Sequence, residues 1–144
     1  MMNEEMIVPL EYQLRRIADK IKTYGRSQLQ AHQLSSTQFI AVQWIYEQPL
    51  TVGQLAANMG IAVSTTSEMV DQLIKKGCVR REKDETDKRK VNLYPEQKSI
   101  DIINEVISKR QNYLDELMAD MPLDEKRLLA ESVNKLFHKM EATS

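Results

Sequence analysis

With 144 residues, 42% of them apolar, the chain is long enough to bury a core of its own, and a net charge of −1 argues against an indiscriminate polyanion binder. One cysteine excludes an intramolecular disulfide, and Cys78, His32 and His138 form no local ligand cluster, so neither a metal nor a cofactor is expected. No apolar run is long enough to span a membrane, and the opening MMNEEMIVP lacks a basic-then-apolar leader, which makes the cytoplasm the expected location.

Pro9 suits a first helical position, and Leu10, Leu14, Ile17, Ile21 and Tyr24 then recur at alternating intervals of four and three. This spacing predicts a long amphipathic helix that frays near Ala31. Ser35 and Gln38 stand three apart, as in a capping box, and open a second helix with Phe39, Ile40, Trp44 and Ile45 inward. Pro49 stops it.

Thr51 and Gln54 repeat the capping signal and start a short helix through Met59, with Leu55, Ala56 and Met59 inward and Gly60 as its left-handed cap. A further helix is predicted from about Ser64 to Lys76, with Met69, Val70, Leu73 and Ile74 on its apolar side and Gly77 at its end. Its first turn, Ser64, Thr65, Thr66 and Ser67, is a run of short hydroxyl side chains. These have poor helix propensity but can bond base edges or phosphates, although Thr65 and Glu68 also have the spacing of a capping box.

Val79 to Lys83 and Val91 to Tyr94 read as the arms of a hairpin around the polar loop DETDKR. Helix, turn, helix and charged hairpin is the plan of a winged helix-turn-helix. From Leu73 to Lys90 there are eight basic residues against four acidic, so positive charge gathers where phosphates would be met. From Glu96 to Ser144 the balance reverses, with seven basic and ten acidic residues.

Pro95 is placed to begin another helix, with Ile100, Ile103, Ile107, Leu114, Leu117 and Met121 at near-heptad intervals. At about 25 residues it would be roughly 37 Å long. Pro122 breaks it, and a last amphipathic helix after Asp124 carries Leu129, Val133, Leu136 and Met140 with Leu128 and Phe137 beside them. Three amphipathic helices flank a small module that cannot cover them all, so a second copy is the expected partner. The expected fold is therefore mainly α with a small β-wing: a winged helix-turn-helix at 35–95, flanked by dimerisation helices at 1–34 and 96–144, within a single domain spanning 1–144.

The expected partner is double-stranded DNA with a roughly palindromic site. Ser64, Thr65, Ser67 and Gln72 are the expected readers of bases or adjoining phosphates. Lys75, Lys76 and Arg81 are assigned to phosphates, and Arg89 to the minor groove with Lys88 and Lys90 nearby. Asp87 cannot favour a phosphate, and its expected work is local, capping the turn or orienting an arginine.

The segments Leu34 to Trp44, LAANMGIAVSTTSEMVDQLIKKG and, above all, VRREKDETDKR resemble the MarR family of bacterial transcription regulators over nearly the whole chain. The family's wing carries an Asp followed two residues later by an Arg, which Asp87 and Arg89 match. The resemblance implies an obligate homodimer and repression relieved by a small phenolic or lipophilic effector or by an oxidant. Two departures stand out: Glu68 occupies a position where many relatives have arginine, and Pro95 and Glu96 replace the family's Leu-Thr pair. The peroxide-sensing branch uses a cysteine in the first helix, where this chain has none, and Cys78 reads by default as a small buried hydrophobe.

The function expected is a dimeric, sequence-specific transcription regulator acting as a repressor released by a small-molecule or stress signal. The alternative is a winged-helix protein-interaction module that does not bind DNA, supported by Glu68, the acidic wing residues and the net charge. An enzyme is not expected, because the chain has no Gly-rich phosphate loop, no nucleophile in a recognisable setting and no metal-ligand motif.

Overall fold

The computed structural model describes residues 3–143, apart from the Gln28 side chain. Among these residues the chain order is α1 (Asn3–Thr23), α2 (Ser27–Ala31), α3 (Ser36–Glu47), α4 (Val52–Met59), α5 (Val63–Lys75), β1 (Val79–Lys83), β2 (Val91–Pro95), α6 (Gln97–Leu117) and α7 (Leu123–Thr143). The chain divides after Arg110 into two compact units.

The core of the first unit is built around Phe39, Val42 and Ile45 of α3, Leu55 of α4, Val70 and Leu73 of α5, Leu93 of β2, and Ile102, Ile103 and Val106 of α6, all buried. Each such aliphatic or aromatic side chain contributes about 1.5–3 kcal/mol by leaving water. Both predicted capping boxes are closed. Ser35 Oγ accepts the Gln38 N–H while Gln38 Oε1 accepts the Ser35 N–H, and Thr51 and Gln54 do the same for α4. Gly60 ends α4 in the left-handed region at φ 69°, and Gly77 does so after α5 at φ 75°.

The wing is antiparallel, registered from Val79 opposite Pro95 to Lys83 opposite Val91. An isolated bridge seats it on the core: the Leu93 N–H donates to the Leu50 carbonyl at 2.7 Å, just ahead of α4. Cys78 is fully buried, and desolvation pushes its thiol pKa up, as a small core hydrophobe requires.

Several boundaries differ from those the sequence suggests. Helix α1 begins at Asn3, not at Pro9, because Glu4 and Glu5 occupy a first turn that favours negative charge, and Pro9 is accommodated inside the helix. The same helix stops at Thr23 instead of running to Ala31. Gly25 turns the chain at φ 88°, and a Cβ there would come within 3.2 Å of the Val106 carbonyl oxygen and Lys109 Cβ. Pro95 does not open α6; it closes β2, and α6 starts at Gln97, its first turn held by the Ser99 hydroxyl on the Glu96 carbonyl at 2.9 Å. Helix α6 has 21 residues, about 31 Å, and ends at Leu117 short of Met121. Its buried stripe is Ile102, Ile103 and Val106, whereas Ile100 and Ile107 are only partly covered. In α3, Ile40 is exposed and Ala41 and Val42 take the interior.

The second unit comprises the end of α6, a turn and α7, which starts at Leu123, ahead of the predicted Asp124. Neither α1 nor α7 contains a buried residue. Leu10, Leu14 and Ile17 on α1, and Leu129, Val133, Leu136 and Met140 on α7, are exposed although their spacing is that of buried stripes.

Candidate nucleic-acid interface

Helix α5 begins at Val63, one residue earlier than its spacing suggests, and its N-cap Ala62 supplies no side-chain cap. Thr65 and Glu68, whose spacing also suits a capping box, form none, and both side chains are exposed. Ser64 is exposed and Ser67 half-buried. Thr66 separates from the group, because it is fully buried and its hydroxyl donates to the Ala62 carbonyl at 2.9 Å. Four successive residues cover the full turn of a helix, so one of them must face the core.

Farther along α5, Thr65, Glu68 and Gln72 recur at three- and four-residue intervals on one face, beside Ser35 and Gln38 at the start of α3. Gln72 is tied there: Gln38 Nε2 donates to Gln72 Oε1 at 3.0 Å. Lys75 is exposed, and Lys76 is half-buried. Its ammonium donates to the Gln33 carbonyl and to Gln38 Oε1.

In β1, Arg81 Nη2 donates to Asp71 Oδ1 of α5 at 2.8 Å, so the arginine braces the wing against the helix while remaining exposed. Arg80 points to the other face. It donates to Glu82, Glu96 and the Pro95 carbonyl, and lies over the Tyr94 ring at 5.2 Å.

Asp84 is the organiser of the wing loop. Its carboxylate accepts the backbone N–H groups of Thr86 and Asp87, the Thr86 hydroxyl and the Asn92 amide. These four donors, led by the Asp87 N–H, hold its pKa well below the usual carboxylate range. Asp87 in turn accepts the Arg89 backbone N–H at 3.1 Å and lies 3.5 Å from its Nε, which is the local orienting role its spacing suggests. The Arg89 side chain is otherwise presented to solvent at 94% exposure. Lys88 is also exposed, while Lys90 is half-buried with its backbone N–H on the Asp87 carbonyl.

A groove separates the wing from α4, with Thr51, Val52 and Gly53 on one side and Arg81, Arg89 and Lys90 on the other. N–H groups at a helix start that no cap takes attract phosphate, so Val52 and Gly53 extend the candidate surface beyond the residues named from sequence. The Thr51–Gln54 capping box was the available signal for them. Asp84 and Asn92 were also missed, and their partnership across eight positions depends on the hairpin register.

The model of the MarR family matches residues 34–91. The uncharacterized HTH-type transcriptional regulator YsmB of Bacillus subtilis is 36% identical over 138 residues, covering 95% of this chain and 94% of YsmB. The chain belongs to the MarR family.

Its fold is that of a MarR family protein from Bacillus stearothermophilus, with a TM-score of 0.81 and 36% identity over 98% of this chain and 99% of that one. It also shares the fold of an S. aureus MepR mutant bound to an oligodeoxyribonucleotide, with a TM-score of 0.66 at 17% identity over 91% and 97% of the two chains. As a MarR-family transcription regulator, the protein carries its DNA-binding winged helix in α3 to β2. Among the described residues no helix is long and apolar enough to cross a membrane.

Proposed function

We propose that the protein is a cytoplasmic homodimer that reads a roughly palindromic duplex site and represses transcription until a small molecule releases it. The observation that carries the DNA-reading part is the pairing of two exposed elements on one module. The α5 start presents Ser64 and Thr65, and the wing tip presents Arg89 with its backbone pinned by Asp87. Ser67, Gln72, Lys75, Arg81, Lys88 and Lys90 flank these two points. Lys76 acts as an internal tie in this reading.

The dimer reading is supported by the uncovered apolar stripes of α1 and α7, which a second copy would remove from water. A two-fold dimer sets its recognition helices about 34 Å apart, matching successive major-groove faces.

Effector release is supported by a cavity of about 350 Å³ in the first unit, walled by Ile40, Gln43 and Trp44 and edged by three cations, Lys22, Arg26 and Arg110, against one carboxylate, Glu47. Arg26 Nε and Arg110 Nε are buried there without a hydrogen-bond partner among the described residues. Burial, and then the Arg26 charge, push the Arg110 pKa down. A flat phenolic molecule bearing negative charge fits this chemistry, with Trp44 as its apolar platform.

The test is a gel shift against the gene's own upstream region across salt concentrations, with Arg89→Ala beside the parent and phenols or aromatic carboxylates added. A saturable complex, about tenfold weaker in Arg89→Ala and dissociated by one of the added compounds, is the expected result. Parental and Arg89→Ala proteins of equal affinity would sink the wing assignment.

A further inference from the structure

The amide of Gln38 has a fixed orientation, because of what surrounds it. One end faces the Ser35 backbone N–H at 3.0 Å and the Lys76 ammonium at 3.0 Å. Both are donors and nothing else, so that end is the oxygen. The other end is therefore the NH₂ group, which only donates, and it faces Gln72 at 3.0 Å. Gln72 must answer with its oxygen. Its own NH₂ group then points away from Gln38, on the exposed stripe that holds Thr65 and Glu68.

We infer that Gln38, a buried residue of α3, sets the base preference of Gln72 by holding its carbonyl, so that the end turned to the groove is the NH₂ donor. The inference rests on the DNA-binding reading above. A free glutamine reads adenine with both ends at once, accepting from N6 and donating to N7. With its oxygen turned to Gln38, Gln72 does not present both ends to one adenine. In the major groove a donor meets the keto edges of guanine, at O6 and N7, and of thymine, at O4, whereas cytosine offers only its N4 donor. Adenine offers N7 alone, beside an N6 donor that Gln72 no longer answers, so guanine or thymine is the preferred base. Lys76 belongs to the same device: its ammonium, anchored on the Gln33 carbonyl, keeps the Gln38 oxygen from rotating outward.

Gln38→Glu tests this by reversing one contact. A glutamate keeps an oxygen for Ser35 and Lys76 but presents a second oxygen to Gln72, which must then turn its NH₂ inward and its carbonyl to the groove. Selection of bound fragments from a randomised duplex pool should give guanine or thymine at the contacted position for the parent. The variant should give adenine or cytosine there, with a preference changed about five- to tenfold and the other positions unaltered.

Gln72→Glu, on the exposed face and harmless to folding, should shift the same position the same way. Proton exchange in the DNA-free protein supplies a measurement that needs no DNA. One Gln38 side-chain amide proton should exchange slowly and both Gln72 amide protons quickly. A parent that selects a site whose preferences are the same in both variants would overturn the inference, as would slow Gln72 and fast Gln38 amide protons. A parent that selects no sequence would overturn the DNA-binding reading instead, and the reader role of Gln72 with it.

Discussion

Arg81 Nη2 lies 2.8 Å from Asp71 Oδ1, so the first wing strand is pinned to α5 by an ion pair that both partners keep in solvent. An exposed pair contributes less than about 1 kcal/mol, and Asp71→Asn should leave the unfolding midpoint almost unchanged. The effect is expected in binding. Release of Arg81 to a phosphate should steepen the salt dependence of the DNA affinity by about one, and an unchanged slope would show that Asp71 does not compete with phosphate for Arg81.

Asp84 should make the wing loop acid-sensitive. Its folded-state pKa lies below the ordinary 3.8, so its contribution is present above pH 4 and is lost progressively as the pH falls toward the folded value. Amide shifts of Thr86 and Asp87, followed by NMR on acidification, should move together late in the titration. Asp84→Ala should reproduce the acid form at neutral pH, disordering the wing loop and weakening DNA binding, with the helical core intact by circular dichroism.

Two glycines with positive φ should differ in their tolerance of alanine. At Gly60 nothing lies within 4 Å of a Cβ, so Gly60→Ala meets only the left-handed backbone cost of about 1–2 kcal/mol. At Gly25 the same cost is joined by approach to the Val106 carbonyl oxygen and Lys109 Cβ at 3.2 Å. Denaturant unfolding should find Gly25→Ala the less stable of the two. Equal losses would mean that α6 moves aside freely.

The threonines of the α5 first turn should separate under substitution by valine. The Thr66 hydroxyl is buried on the Ala62 carbonyl, which also accepts the Thr66 N–H, so Thr66→Val should change stability by no more than about 1 kcal/mol and leave DNA affinity alone. Thr65→Val should leave stability alone and weaken the specific complex by about 1 kcal/mol or more. A quantitative gel shift beside thermal unfolding distinguishes the two patterns.

Phe137 is exposed on α7 among Val133, Leu136 and Met140. Phe137→Glu should convert a sedimenting dimer to monomer. It should also lower site affinity about a hundredfold, since the second half-site would no longer be held at high effective concentration. A dimer that persists in sedimentation would place the pairing surface elsewhere.

The sequence by itself determined what is written within one or two turns of chain. The Ser35–Gln38 and Thr51–Gln54 boxes, the stops at Gly60 and Gly77, and the hairpin arms are local agreements between side chains and their own backbone, and each formed where its spacing put it. The uncovered stripes of α1 and α7 were legible for the same reason, because periodicity declares an apolar face whether or not the chain covers it.

Only the tertiary structure decided which of several eligible residues faced inward. It buried Ile102 and Val106 where near-heptad spacing favoured Ile100 and Ile107, took Thr66 out of the hydroxyl group, and turned Lys76 from the surface to Gln33 and Gln38. It also made Gln38 a partner of Gln72, 34 residues away, and Asp71 a partner of Arg81. Such pairings depend on the rotation and register of packed elements, and these are set by the whole core at once, not by any stretch of it.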